Sequence, residues 1–471
     1  MDIYVGADIS KGYADFAISD GEGQIRKELQ LDDTRRGHDR AIRLMRELNK
    51  RAGKEEELVV GMEATGGMEA NWLQLFEDLS EELDLTVYRL NALVLRKFAE
   101  QQLHGGKTDR ISARRIAAFL RRGSIEEHHP LSETGAEPGL RTLSRKTMGM
   151  IEESVELKNE LHALLQRAHP EMVQHVRGDL SQWVLRLLKN YPTPDQLFEA
   201  GPEELAEIPY VTEEKAQGLV ENARTSVASQ TDEETGLALS LTAEDLLRLE
   251  RRINRLKERL WNRIKDQRAP RLLESIEGIG KWGATVLYLE IGDITRFDSV
   301  AQLVAFAGLD PQWEESGDQT VQKSISKQGN RRIRSILYSC AISALTSADN
   351  PPVQNLYERL REKGKHKKVA EIACMRKLLA IVYGCWSNNE RFDPTYEKRL
   401  KARQAEKKST GNAPAEQSPD QSFDLSAPVS RKEAKERRKA SSPEKSVSSS
   451  ARGQGAFLEE YHNGESASEQ T

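Results

Sequence analysis

Two carboxylates stand where a chain seldom tolerates them. Asp8 interrupts the apolar run IYVGADIS, and Glu63 closes a second run, LVVGMEA, just ahead of Gly66-Gly67. Burying a carboxylate among such residues is costly unless charge or hydrogen bonds compensate it. The carboxyl ends of neighbouring parallel strands are also where open α/β sheets gather their sites. A pair of acids there suits a hard cation such as Mg²⁺, which takes carboxylate and water oxygens. A third acid, Asp109 in GGKTDRISARRIAAFL, opens a helical pattern. By itself it reads equally well as an N-terminal acid complementing the helix dipole. Acids on three such elements, taken together, are suited to hold two metal ions that align a water or hydroxyl with a scissile phosphate.

A second group of residues lies some two hundred positions later. LLESIEGIGKWGATVLYLEIGDITRF reads as two helices joined through Gly278-Ile279-Gly280. A Gly-x-Gly hairpin can present backbone N–H groups to a DNA phosphate; a tight helix–helix turn is the equal alternative. Downstream, Lys323, Lys327, Arg331, Arg332 and Arg334 crowd around Gly329-Asn330 inside an otherwise apolar helical region. Such a run is usually a solvated face, but its position beside a Ser-Gly turn favours phosphate clamping. In that turn Ser316 gains interest from Gly317, which permits close approach, and from cations able to stabilise a phosphorane-like transition state. Ser324 and Ser326 are rivals at short range.

The elements that must position these groups follow from periodicity. IYVGADIS, YADFAISD and IRKELQLD read as three successive strands, and a helix over 34–52 follows. The strand 58–64, a helix near 71–83, the strand 85–91 and a helical section from 93 to 122, broken near Gly105-Gly106, complete an α/β domain over 1–123. Three adjacent strands followed by alternating helix and strand is the order of an RNase H-like fold. Residues 124–139 read as a linker. Helical, highly charged stretches at about 140–190 and 240–268 carry apolar residues at threes and fours, the mark of a coiled-coil-like pair, so 124–268 is assigned to linker and arm. Between them PEELAEIPYVTEEKAQGLVENA reads as a small helical hairpin module. A mostly helical domain fills 269–392. From 393 to 471 the composition turns to Lys, Glu, Ser, Pro and Gln, and a mostly disordered tail is expected.

Composition narrows the class. Over 471 residues, 37% hydrophobic content can fill real cores, whereas 31% charged residues imply long exposed helices or unfolded parts. No apolar run approaches the roughly 20 residues of a membrane span. The start, MDIYVGADIS, has no signal-peptide layout. Three cysteines without CxxC spacing support neither a disulfide framework nor a zinc site. A cytoplasmic setting is expected. With a net charge of −5, any nucleic-acid contact must come from local basic clusters.

VGADIS, GMEATGG and KTDRISARRIA resemble the three acidic motifs of the DEDD-type insertion-sequence transposases, relatives of the Piv DNA invertase. GIG, FAGLDP, ESG, SKQGNRRIR and KLLAIVYGCWSNNERFDP resemble the second domain of the same family. The resemblance spans roughly 1–122 and 269–392. It implies a first domain similar to the RuvC Holliday-junction resolvase, with Asp8, Glu63 and Asp109 as Mg²⁺ ligands. It implies Ser316 as a nucleophile that forms a covalent phosphoserine link to DNA. It further implies dimers pairing into a tetramer, and a structured bridge RNA that base-pairs with donor and target DNA. In that family a fourth acid follows one helical turn after the third, in a K-T-D-R-x-D-A pattern; this chain has Ser112 there. A serine brings no negative charge, so weak Mg²⁺ binding and better performance with Mn²⁺ are expected. Two other readings follow from the same residues: a RuvC-like structure-specific endonuclease that uses water as nucleophile, or a catalytically weakened nucleic-acid-binding descendant.

Overall fold

The structure, a computed structural model, describes residues 2–52, 57–64, 66–101, 109–122, 138–176, 180–316 and 319–395. Most of the expected linker and nearly all of the expected disordered tail lie outside these residues. The N-terminal part runs β1 (Ile3–Ser10), β2 (Tyr13–Asp20), β3 (Ile25–Asp32), α1 (Arg35–Arg51), β4 (Leu58–Glu63), α2 (Ala70–Ser80), β5 (Leu85–Leu90), α3 (Ala92–Gln101) and α4 (Asp109–Arg121). Its five-stranded sheet has the order β3-β2-β1-β4-β5. β1, β2 and β3 form an antiparallel meander, and β4 and β5 run parallel to β1.

Period-2 alternation gives the sheet two different faces. Val5, Ala7 and Ile9 join Phe16, Ile18, Val60 and Met62 on one face, packed against Met45 of α1 and Trp72 and Phe76 of α2. The opposite face carries Gly6 and Gly61, and α4 lies directly on it. A Cβ at Gly6 would stand 2.1 Å from the Ala113 carbonyl oxygen and 2.5 Å from the Ala117 nitrogen. The two glycines are therefore what lets a helix approach the sheet so closely. Val59, Leu90, Ile116, Phe119 and Leu120 close the layer around them.

The remainder is largely helical. α5 (Pro138–Ala168) and α9 (Glu233–Ile264) form an arm. Met150, Ser154, Leu161 and Leu165 of α5 and Leu246, Leu249 and Ile253 of α9 are buried at spacings of three, four or seven, as a paired-helix seam requires. Lys158 bridges to Glu250 across it at 3.0 Å. α6 (Gln182–Asn190), α7 (Pro194–Ala206) and α8 (Glu213–Arg224) pack against the arm's far end with a core of their own. The last body comprises α10 (Arg268–Glu274), α11 (Lys281–Ile291), α12 (Val300–Ala307), β6 (Pro311–Ser316), β7 (Gln319–Ile325), α13 (Arg331–Thr346), α14 (Pro351–Glu362) and α15 (Lys367–Ser387). Its core is continuous from Leu260 to Val382. Among the described residues no helix is long and apolar enough to cross a membrane.

The hairpin β6–β7 is a departure from the helical reading of 269–392. PQWEES and QTVQKSI lack the apolar alternation of a half-buried strand, so nothing in their pattern announced a sheet. Their antiparallel register pairs Ser316 with Gln319; residues 317 and 318 lie outside the described residues.

Candidate active site

The register of the first sheet brings the acids together. β1 and β4 pair Gly6 with Gly61 and Ala7 with Met62. One step further, Asp8 and Glu63 stand side by side, roughly 4.8 Å apart along the sheet. Both share the parity of Gly6 and Gly61, so both face α4, and both are partly exposed. α4 runs antiparallel to β1: Arg121, at its end, lies against Gly23 and beside Tyr4 near the start of β1. Its first turn consequently overhangs the carboxyl ends of β1 and β4. The contacts of Gly6 with Ala113 and Ala117 fix the level. Two strand residues advance about 6.6 Å and four helix residues about 6 Å, which sets Asp8 level with Ser112 and its neighbour. Asp109 lies one turn beyond, at the helix start; its side chain is outside the described residues.

A further acid on this face was missed in the sequence. Asp15 of β2 is paired directly with Asp8. It therefore faces α4 as well, and it is only 5% exposed. The Gln30 side-chain amide donates to its two oxygens at 3.3 and 3.2 Å. The row Asp15, Asp8, Glu63 thus crosses three adjacent strands. The tight turn at Lys11-Gly12, with Gly12 at φ 89, sets this register and was the available signal.

Glu69, also unflagged, holds the loop after Glu63. It is buried and receives the Gly67 N–H at 2.9 Å and the Arg89 guanidinium from β5. Burial by itself would raise its pKa, but these donors together keep it below the ordinary value. Gly66 and Gly67 adopt φ of 75 and 107, a conformation open to glycine, and so let the chain turn sharply past Glu63.

The donor chemistry and the shared face fit a hard divalent cation. Among the described residues no three such side chains already converge closely enough to hold one.

The second region centres on α13. Asn330 caps it, with its Oδ1 accepting from the N–H groups of Arg332 and Ile333 at 2.9 and 3.2 Å. Its amide also donates to Glu290 of α11 at 2.8 Å. Glu290, buried, receives Arg145 of the arm at 2.8 and 3.0 Å. Desolvation would raise its pKa, yet Arg145, Asn330 and the nearby Arg332 hold it below normal. This network locks arm, α11 and α13 together. The first turn of α13 carries Arg331, Arg332 and Arg334 and no acid. Cations at a helix N-terminus oppose the dipole, an arrangement that an incoming anion relieves.

The five basic residues have different surroundings. Arg334 donates to the carbonyls of Ala307 and Gly329, both at 2.9 Å, which makes it a clamp on the Gly308–Gly329 contact. Arg331 pairs with Glu152 of α5 at 2.8 Å. Lys327 and Arg332 are exposed. The side chains of Lys323 and Ser316 lie outside the described residues. Of the rival serines, Ser326 donates to Asp310 at 2.5 Å and accepts from the Gln328 N–H, closing the base of the hairpin. Ser324 is exposed.

The Gly278-Ile279-Gly280 turn has a counterpart in the arm. Ile276, Ile279 and Ala284 are buried around Gly278 at φ 96; Ile208, Val211 and Ala216 are buried around Tyr210 at φ 71. Each turn closes with the same i+3 bond, Ile279 to Ile276 and Val211 to Ile208. Space beside Gly280 is open, and Gly280 starts α11 without a side-chain cap. The second hairpin is flanked instead by Glu207, Glu213 and Glu214.

Three family models match parts of the chain. A DEDD-type transposase profile matches residues 5–170, one described as transposase IS116/IS110/IS902 family matches 270–358, and a SAM-like helix-hairpin-helix tandem matches 183–225. A Streptomyces coelicolor protein, the insertion element IS110 uncharacterized 43.6 kDa protein, is 26% identical over 62% of this chain and 74% of its own. The Moraxella bovis pilin gene-inverting protein is 37% identical over 30% of this chain and 45% of its own. The transposase for insertion sequence element IS1111A of Coxiella burnetii is 23% identical over 52% of this chain and 62% of its own. The alignments thus span about three quarters of the first relative and less than two thirds of the other two.

Proposed function

The chain belongs to the DEDD-type insertion-sequence transposases, and from that premise we propose that it is a DNA recombinase that cuts and rejoins strands through a composite site. We read its first domain as RNase H-like, close to the RuvC plan, a reading that the sheet order and the crossing α4 support. Asp8, Glu63 and Asp109 would hold Mg²⁺, with Mn²⁺ able to replace it. When bound, the ion would neutralise charge on the scissile phosphate. Ser316, at the tip of β6–β7, would attack the phosphorus. Its oxygen gains the bond to phosphorus, the bond to one sugar oxygen breaks, and the hydroxyl proton ends on that leaving oxygen. A sugar hydroxyl of the strand to be joined then displaces serine, restoring it. Lys327, Arg332 and the helix start at Gly280 would bind backbone phosphates.

By the family resemblance, sequence choice is assigned to base pairing with a bridge RNA, which would account for it without a major-groove-reading element. Dimers pairing into a tetramer complete the assembly. The observation carrying the proposal is the side-by-side placement of Asp8 and Glu63 beneath the start of α4, in a chain whose later domain matches the same family. Asp8→Asn and Glu63→Ala should each abolish cleavage of DNA carrying the element's ends, with the melting temperature little changed. Undiminished cleavage by either variant would remove that residue from the site.

A further inference from the structure

We propose that the basic turn between α14 and α15 is a second contact for duplex DNA, continuing the phosphate-binding face at the start of α13. The inference rests on the DNA-binding role proposed for that face. The turn itself lies beyond residues 270–358, which the transposase family model matches. From Arg359 to Lys368 the chain carries six cations, Arg359, Arg361, Lys363, Lys365, Lys367 and Lys368, against the single acid Glu362. The protein as a whole has a net charge of −5. Lys365 is half-buried and the other five cations are exposed. Backbone bonds form the turn: the Gly364 and Lys365 N–H groups donate to the Arg361 and Leu360 carbonyls at 2.9 and 3.0 Å. Those bonds make no use of the lysine ammonium groups, which project from a turn already closed.

Local structure accounts for some of these charges and not for others. Arg359 and Arg361 lie in the last turn of α14, where they complement the negative end of the helix dipole. Lys367 and Lys368 open α15 at the positive end, and no acid accompanies them in its first turn. Glu371, a turn further on, stands 3.9 Å from Lys367 and also accepts from the Tyr338 hydroxyl at 3.4 Å. Cations so placed are relieved by an anion. α13 begins in the same way, with Arg331 and Arg332 following the Asn330 cap and no acid in the first turn. Tyr338 joins the two starts, because Arg331, Ser335 and Tyr338 share one exposed face of α13. That face runs about 10 Å from Arg331 to Tyr338, and α13 contains no acid along its length. A small anion would satisfy one start alone. A duplex, with one negative charge per about 1.7 Å of axis, can span both. DNA is the occupant because the face being continued is the one assigned to DNA phosphates.

The test is equilibrium binding of the full-length protein, across a salt series, to a DNA duplex of arbitrary sequence several helical turns long and to an RNA stem-loop. Melting temperature serves as the fold control. Lys367→Gln combined with Lys368→Gln should lower the slope of log affinity against log salt for DNA by about 2. The melting temperature should hold or rise, because two charges opposing the dipole are removed. Adding Arg332→Ala should bring the total decrease to about 3, as one duplex crossing both regions requires. An unchanged slope in the lysine variant, with a lowered slope in Arg332→Ala, overturns the inference and leaves the α13 face standing. Unchanged slopes in both variants overturn the α13 face as well. A slope lowered for the RNA alone overturns the assignment to DNA. A lower melting temperature with an unchanged slope also overturns the inference and assigns the lysines to holding α15.

Discussion

Arg334 and Arg332 sit two positions apart on one helix and do different work. The Arg334 guanidinium bridges two carbonyls from separate segments. Arg332 has its backbone N–H on the Asn330 cap and its side chain in solvent. Arg334→Ala should therefore destabilise the C-terminal body by about 1–3 kcal/mol, because two carbonyls lose their donor. Arg332→Ala should leave stability nearly unchanged and weaken DNA binding, lowering the slope of log affinity against log salt by about 1. Melting curves and salt titrations separate the two. Equal effects on binding at unchanged stability would mean that Arg334 also reaches phosphate. Charge alone made these arginines indistinguishable in the sequence, since hydrogen bonding to a distant carbonyl leaves no local pattern.

Among the elements, α4 is set by glycine. Gly6→Ala should cost on the order of 3 kcal/mol or more, because its methyl would meet Ala113 and Ala117 backbone atoms. By lifting α4 off the sheet it should also weaken divalent-ion binding; a variant that melts and binds Mn²⁺ like wild type would refute this role. A second element-level prediction concerns His169, which follows α5 and is 1% exposed, with Glu171 at 3.5 Å. Burial outweighs the attraction of Glu171 and drives its pKa down from 6.5 to about 4. Above pH 6.5 the ring is neutral folded and unfolded. As pH falls from there toward 4, the unfolded chain gains a proton that the folded one refuses, so stability declines by about 3 kcal/mol. His169→Met should flatten that part of the stability–pH profile, and an unchanged slope would contradict the assignment.

The strands, α1, α2 and the paired arm were legible because hydrophobic period reports burial directly. Asp8 and Glu63 were legible as polar interruptions of apolar runs. The pairing of Asp15 with Asp8 was not, because YADFAISD alternates as an ordinary strand does and register leaves no local signal. The hairpin β6–β7 was hidden by its polar composition.

At the scale of the whole molecule, the proposed composite site joins two half-sites lying in different bodies of the chain. The sheet carries the carboxylates assigned to the ion; the C-terminal body carries Ser316 at the end of β6 and the helix starts of α11 and α13. On the proposed mechanism strand transfer needs both, whereas a hydrolytic nuclease would need only the first. The measurement that separates them is mass spectrometry of the protein after incubation with its DNA and Mn²⁺. The expected product is a peptide spanning Ser316 linked to a nucleotide through phosphate, absent in Ser316→Ala. Free cleaved ends with no protein–DNA link, or a link mapped to Ser324 or Ser326, would contradict it.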